Sequence, residues 1–179
     1  MKKLFLLLIF LFLLSGCKYD TLDQAFEKQA DYEVKEVVAN VEVENVVAIL
    51  YLTEPNAEDF PNIHEDVVAI EFYKNDDGWE KVVNGTWSHY ENDNLILHSE
   101  RYLETYANGK KDKITRITFG EINNEEITKI EVSKDGEHFV PAEIVNNTHL
   151  PKRYFYQIGE YPIVRGLSKT GEVIDRQVG

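Results

Sequence analysis

The chain has few of the residues that cross-link or stiffen small exported proteins. It contains one cysteine, Cys17, and five prolines among 179 residues. A single thiol forms no internal disulfide, so a hydrophobic core must hold the fold together. The hydrophobic fraction of 43% is in the range that builds such a core.

Long hydrophobic runs are also lacking. The longest, residues 4–14, has eleven apolar residues and ends before Ser15 and Gly16. Spanning the hydrocarbon core of a bilayer, about 30 Å thick, takes roughly 20 apolar residues. The run is therefore too short for a comfortable uncleaved membrane anchor.

Basic residues are scarce. The sequence has 19 Lys and Arg against 32 Asp and Glu, a formal net charge of −13. Nucleic-acid affinity rests on Lys and Arg that neutralise phosphates, so nucleic acid is excluded as a partner. Lying flat on an anionic membrane is disfavoured, whereas a basic protein segment, a divalent cation or a neutral sugar is compatible with this charge.

What is present at the N-terminus has the form of an export signal. Lys2 and Lys3 precede the apolar run, which ends in Leu14-Ser15-Gly16-Cys17. A basic region, an apolar region and small residues before a cleavage site make up a secretory signal peptide. An uncleaved anchor and ordinary secretion are the alternatives, but the run is short for the first and the second needs no cysteine.

The four residues Leu14-Ser15-Gly16-Cys17 resemble the lipobox of bacterial lipoproteins. The resemblance implies that residues 1–16 are removed, that Cys17 carries diacylglycerol on its sulfur, and that the new N-terminus is acylated by a fatty acid such as palmitate. Residues 17–22 are then the lipid anchor and tether. Each buried methylene contributes about 0.8 kcal/mol, so two or three chains hold the protein on the extracytoplasmic face of the cell membrane.

Cleavage would make the protein still more acidic. It removes Lys2 and Lys3 but no acidic residue, which leaves 17 basic and 32 acidic residues and about fifteen net negative charges. Net charge of this size governs solubility and association rates rather than fold.

The sequence carries no catalytic or zinc-binding pattern. The histidines form no His-x-x-x-His or Glu-x-x-His pair: His64, His89, His98, His138 and His149. Ser88-His89 and His98-Ser99 are neighbours that a strand points to opposite faces, and there is no Gly-x-Ser-x-Gly elbow. An acylated Cys17 is no thiol nucleophile. A catalytic carboxylate pair stays open as an alternative, because 32 acidic residues bring some together by chance, but no spacing singles one out. We therefore predict a protein that is not an enzyme and has no metal or cofactor.

Two polar turns offer oxygen ligands for a cation. They are Asn75-Asp76-Asp77-Gly78 and Asn92-Asp93-Asn94. Calcium accepts six to eight such oxygens, but neither stretch has the spacing and closing glutamate of a calcium loop. A solvated turn is the favoured interpretation of both.

The aromatic residues suggest one candidate ligand surface. Trp79, Trp87, Tyr154 and Tyr156 are the candidate stacking residues for a sugar or a peptide. Alternation along a strand puts Tyr154 and Tyr156 on one side, which is also the pattern of a half-buried core strand. The sugar hypothesis requires Trp79 and Trp87 to be exposed on one face.

The periodicity predicts an α+β fold that is mainly antiparallel β. Thr21 has the position of an N-cap for a short helix from Leu22 to about Ala30. Apolar alternation or continuous apolar runs then predict strands at 36–44, 46–52, 67–73, 79–83 and 86–90, with turns at Asn45, 74–78 and Asn84-Gly85. Six more short strands follow at 115–119, 127–132, 139–145, 153–157, 163–167 and 173–176.

These elements suggest two halves. Residues 23–107 are predicted to form the helix laid on an antiparallel sheet, and residues 113–179 a small β-sandwich-like half. The stretch 106–112, which lacks apolar periodicity, is the candidate boundary. Because the second half is small for a separate domain, the two halves can share one core.

The body of the chain also resembles a group of known proteins. The segments are the amphipathic helix, Tyr32-Glu33-Val34, the strand at 46–52, Asp77-Gly78-Trp79, Phe119-Gly120-Glu121-Ile122 and Ile127-Thr128-Lys129-Ile130-Glu131-Val132. They resemble small surface lipoproteins and secreted proteins of Gram-positive bacteria that have no assigned activity. The resemblance implies a surface-attached, non-enzymatic protein and transfers no catalytic residue.

Two functional hypotheses follow. The first is a non-catalytic, membrane-anchored surface lipoprotein that binds another envelope component through exposed sheet and loop surface. The second is a carbohydrate- or solute-binding module that displays aromatic side chains to cell-wall polymer. The first predicts a shallow surface, whereas a cleft with converging carboxylates or histidines would favour an enzyme or a metal site.

Overall fold

The computed structural model describes residues 18–104 and 113–179. The predicted signal peptide (1–16), the lipobox cysteine Cys17 and the predicted boundary at 106–112 lie outside the described residues. The described residues contain no helix of the length and apolarity that a membrane span requires.

One short helix, α1 (Leu22–Gln29), opens the described chain. The side-chain oxygen of Thr21 accepts a hydrogen bond from the backbone N–H of Gln24 at 3.2 Å, so the predicted N-cap is confirmed. Phe26 on the buried face packs edge-on against Tyr51 and Tyr73 of the first sheet, with ring centroids 5.2 and 5.9 Å apart. Packing of this face, rather than its length of eight residues, stabilises the helix.

The first sheet has four antiparallel strands in the order β1 (Glu36–Val43), β2 (Val46–Thr53), β3 (Val67–Asn75) and β4 (Trp79–Trp87). Every residue of β2 is buried, as its continuous apolar run predicted. Ile49 and Tyr51 face the helix, whereas Ala48 and Leu50 face the next sheet. Both faces of the first sheet are therefore covered.

The remaining strands are β5 (Leu95–Glu104), β6 (Lys113–Ile122), β7 (Lys129–Ser133), β8 (Phe139–Pro141), β9 (Glu143–Val145), β10 (Arg153–Ile158), β11 (Ile163–Leu167) and β12 (Val173–Val178). They form a central sheet in the order β5-β6-β10-β9 and a third sheet in the order β12-β11-β7-β8. All pairs are antiparallel. The predicted fold class, α+β and mainly antiparallel β, is confirmed.

The central sheet lies between the other two. Phe119 and Tyr154 on one of its faces pack against the first sheet. Leu95 and Phe155 on the other face pack against Val164 of the third sheet. Side chains from both predicted halves thus share a core, and β5 pairs with β6 on either side of the predicted boundary.

Three strand predictions are wrong in detail. Asn84 and Gly85 form no turn, because β4 continues through them with register irregularities opposite β3. Strand β5 was not predicted, since the polar residues 98–101 separate its apolar start from Tyr102 and Leu103. The predicted strand at 139–145 is two strands: the chain leaves the third sheet at Pro141, which has no N–H to extend a ladder, and enters the central sheet at Glu143.

Candidate functional site

The chain joins the folded body close behind Cys17. Tyr19 forms an isolated antiparallel bridge with Trp79 at the start of β4, with N–O distances of 2.9 and 2.7 Å. Lys18 Nζ donates a hydrogen bond to the carbonyl oxygen of Asp76 in the β3–β4 loop. Part of the predicted tether (17–22) is therefore bound to the body.

This attachment defines one end of the molecule. We call it the anchor end; it comprises Lys18, Tyr19, the β1–β2 turn at 44–45 and the β3–β4 loop at 76–78. The described chain begins at this end.

An open cleft lies at the opposite end of the first and central sheets. It has a volume of about 870 Å³. The ten-residue strand β5 begins beside the cleft at Leu95 and ends at Glu104, which is ion-paired with Lys74 near the anchor end. At about 3.3 Å per residue, the cleft and the anchor end are roughly 30 Å apart. The cleft is open to solvent, so the expectation of a shallow surface without a deep polar pocket stays a prediction.

The cleft has polar walls over an apolar floor. The walls carry the carboxylates of Glu91, Asp93 and Glu125 and the amides of Asn123, Asn146 and Asn147, and the floor is formed by Ile96, Ile122 and Leu150. Within the two described stretches, these three carboxylates make no hydrogen bond or ion pair. In the same stretches no three His, Cys, Asp or Glu side chains are grouped closely enough to hold a metal ion.

The two cations of the cleft are already engaged. Lys152 Nζ donates to Glu65 and, at 2.9 Å, to the buried Glu121. Burial alone would lower the pKa of Lys152, but its bonds to Glu65 and Glu121 raise it above the ordinary value. Arg153 donates to two backbone carbonyl oxygens at 2.6 and 2.7 Å. The cleft is thus left with an excess of hydrogen-bond acceptors.

The structure brings Ser88 and His98 together, with Ser88 Oγ and His98 Nδ1 2.6 Å apart. Sequence reasoning missed the pair because it compared only adjacent residues. Burial, with a smaller contribution from His89, lowers the pKa of His98 to about 4. Its Nε2 is buried and has no hydrogen-bond partner in the described part of the chain, so the carboxylate that orients the base of a catalytic triad has no counterpart here.

The other histidines lie apart. His89 Nε2 is 3.5 Å from Glu65 Oε1, and His138 Nδ1 is 2.8 Å from Asp135 Oδ2 in an exposed turn. His64 and His149 are exposed. The five histidines do not converge on one centre.

The candidate stacking residues fall on two sides of the first sheet. Trp79 and Trp87 are partly buried on the helix side. Tyr154 is buried and Tyr156 partly buried between the first and central sheets. Trp79 begins β4 and Trp87 ends it, so the structure does not bring the four residues together into one surface. Trp87 also lines a small pocket of about 430 Å³, where the ring of Phe60 packs edge-on at 4.7 Å.

In the two polar turns, the side-chain oxygens of Asn75, Asp76 and Asn92 have partners within the chain, whereas the carboxylate of Asp93 has none among the described residues. Asn75 Oδ1 accepts from the N–H of Gly78 at 3.3 Å, and Asp76 pairs with Lys74 at 2.5 Å. Asn92 Oδ1 accepts hydrogen bonds from the backbone N–H groups of Asn94 and Leu95, at 2.8 and 3.1 Å. The bond from the N–H of Asn94 to Asn92 Oδ1 is that of an Asx turn.

Sequence reasoning also missed a buried carboxylate, Glu71. It accepts hydrogen bonds from the hydroxyls of Tyr51 and Tyr73 at 2.7 and 2.6 Å and from the backbone N–H of Asp31 at 2.8 Å. Burial, helped by Glu71, raises the pKa of both tyrosines. A single acidic residue inside the apolar run of β3 was the signal for it. The cluster joins the segment after α1 to the first sheet.

No protein-family model, curated protein or solved structure matches the chain.

Proposed function

We propose that this chain is a membrane-anchored, non-catalytic surface lipoprotein that binds another envelope component in its cleft. The observation that carries the proposal is the bridge between Tyr19 and Trp79 at the end of the body opposite the cleft. A lipid on Cys17 would hold that end at the bilayer and present the cleft outward.

The chemistry of the cleft supports a binding role. Its free carboxylates and amide oxygens are acceptors, while Lys152 and Arg153 already have partners. A ligand that supplies N–H or O–H donors would satisfy these acceptors. A basic segment of an envelope protein, or a hydroxyl-rich cell-wall polymer, has such donors.

The side chains that come nearest to a catalytic arrangement support a non-catalytic role. His98 has a pKa of about 4, so near pH 7 it is a weak base. It contacts Ser88 without a carboxylate on its other ring nitrogen. A hydrolytic dyad would need that orientation and a group to stabilise the oxyanion.

The proposal is tested by photo-crosslinking in the native host. A photoreactive residue is placed at Asp93, in the cleft, or at the matched control position Asp77, at the anchor end; both side chains are exposed. We expect an adduct with an envelope component from position 93 alone, identified by mass spectrometry, and loss of membrane retention in Cys17→Ser. Equal adducts at both positions, or a Cys17→Ser protein that stays on the membrane, would contradict the proposal.

A carbohydrate- or solute-binding module is the second candidate. It is supported by the pocket where Phe60 and Trp87 meet at 4.7 Å, since aromatic rings stack on sugar faces. A photoreactive residue at the exposed Phe60 distinguishes the two candidates. A glycan adduct at position 60 and none at 93 would favour this second function.

A further inference from the structure

The end of the β5–β6 hairpin lies beside the anchor end. Lys74 pairs with Asp76, whose carbonyl oxygen accepts from Lys18, and also with Glu104, the last residue of β5. Lys113, the first residue of β6, pairs with Glu44 in the β1–β2 turn. Lipid on Cys17 would therefore bring this hairpin end close to the bilayer.

Two exposed apolar side chains form a pair at this end. Leu103 and Ile114 lie directly opposite each other on β5 and β6, and they are 51% and 48% exposed. By strand alternation Leu103 shares a face with Leu95 and Leu97, which the third sheet covers farther along. Near the end of β5, the third sheet does not cover this face in the part of the chain that the structure describes.

Two arginines follow on the same face. Arg101 and Arg116 form the cross-strand pair two residues farther from the hairpin end, about 7 Å along the strands. Arg116 is also paired with Glu160 at 3.0 Å. Apolar side chains near the described ends of β5 and β6, with arginines farther from those ends, match the acyl-chain boundary and the phosphate layer of a bilayer.

The negative charge of the anchor end is smaller than the net charge of the protein would suggest, although Asp77 is exposed there. Glu44 and Asp76 are each paired with a lysine, and Glu104 shares Lys74 with Asp76. The body would touch the membrane by this end alone, not by lying flat.

From these placements we propose that Leu103 and Ile114 insert at the surface of a phospholipid bilayer, with Arg101 and Arg116 at the lipid phosphates. This inference deepens the proposed function and rests on its lipid anchor. Its consequence is a fixed orientation, with the cleft directed away from the membrane.

The test uses the full chain purified from host membranes and reconstituted in phosphatidylcholine vesicles with or without phosphatidylglycerol. Leu103→Cys carries an environment-sensitive fluorophore, and Val140→Cys, 39% exposed on the third sheet, is the matched control. Quenching by nitroxide lipids should be roughly twofold or more stronger at position 103 than at 140. Phosphatidylglycerol should increase it, and Arg101→Gln with Arg116→Gln should remove that increase.

The outcomes separate the inference from the proposed function. The mass of the N-terminal fragment is read on the same sample. A lipidated chain with equal quenching at positions 103 and 140 overturns the membrane contact alone. An unmodified Cys17 overturns the proposed function and the inference with it.

Discussion

His98 is the residue whose burial most affects its titration. Its folded-state pKa of about 4 lies below the ordinary value of 6.5, so the unfolded chain takes up the proton more readily than the folded protein. The stability that depends on neutral His98 is therefore complete above about pH 6.5 and is lost as the pH falls through 4. The full loss is on the order of 3 kcal/mol.

We expect His98→Gln to flatten the fall in unfolding free energy between pH 7 and pH 4, measured by urea denaturation. His149→Gln, at an exposed position, is the control and should reproduce the native pH dependence. If the native chain and His98→Gln lost unfolding free energy in parallel as the pH falls, the pH dependence would not come from His98.

Glu71 is the residue on which the packing of the segment after α1 depends. Glu71→Ala would leave the hydroxyls of Tyr51 and Tyr73 and the N–H of Asp31 without their acceptor. We expect a loss of about 3 kcal/mol or more in unfolding free energy. Glu42→Ala, on the exposed side of β1, should change it by about 0.5 kcal/mol or less. Similar losses in both variants would contradict the role assigned to Glu71.

Residue-level contacts were the part of the site least visible in the sequence. Ser88 and His98 are ten positions apart and meet because the chain turns between β4 and β5. The cleft is lined by residues from four separate connections between strands. Two of these residues, Glu65 and Lys152, form an ion pair although they are far apart in the sequence. The local pattern of apolar and polar residues does not predict such contacts, since they depend on how the sheets stack.

Among the strands, β6 contains the glycine with the least room for a side chain, Gly120. A Cβ on Gly120 would lie 1.8 Å from the carbonyl oxygen of Ile96 and 2.7 Å from the ring of Phe155. Because Ile96 O is backbone of the neighbouring strand, it cannot move without breaking the pairing of β5 with β6. The central sheet thus requires a residue without a side chain here.

We expect Gly120→Ala to cost at least about 3 kcal/mol of unfolding free energy in thermal or urea denaturation. Gly171→Ala is the control: nothing lies within 4 Å of its Cβ, and only its positive φ of 88° strains the backbone, at about 1 kcal/mol. A Gly120→Ala protein as stable as Gly171→Ala would contradict the central position of β6.

Elements whose residues all lie in one environment were predicted well, whereas elements whose environment changes along the chain were not. Strand β2 is apolar throughout and buried throughout. Gly85 looked like a turn residue, but its N–H bonds to Asp31 and its lack of a side chain admits the carboxylate of Glu71, 2.6 Å from where a Cβ would be. Strand β5 changes from a buried to an exposed environment along its length, which hides its period.

For the whole molecule, three stacked sheets and one helix place the start of the described chain and the cleft at opposite ends. The periodicity of the sequence predicted the fold class, whereas the membrane location that its lipobox-like residues indicate stays a prediction. The order of the sheets depends on contacts between strands distant in sequence, such as Phe119 with the first sheet and Phe155 with the third. No local pattern predicts that order.

The central claim is that the protein is held on the membrane by lipid at Cys17, beside the Tyr19–Trp79 bridge. The most direct measurement is the mass of the first tryptic fragment of the protein isolated from its native host. The account predicts a fragment that begins at Cys17 and carries diacylglycerol and an acyl group. A fragment that begins at Met1, or a Cys17 with an unmodified thiol, would contradict it.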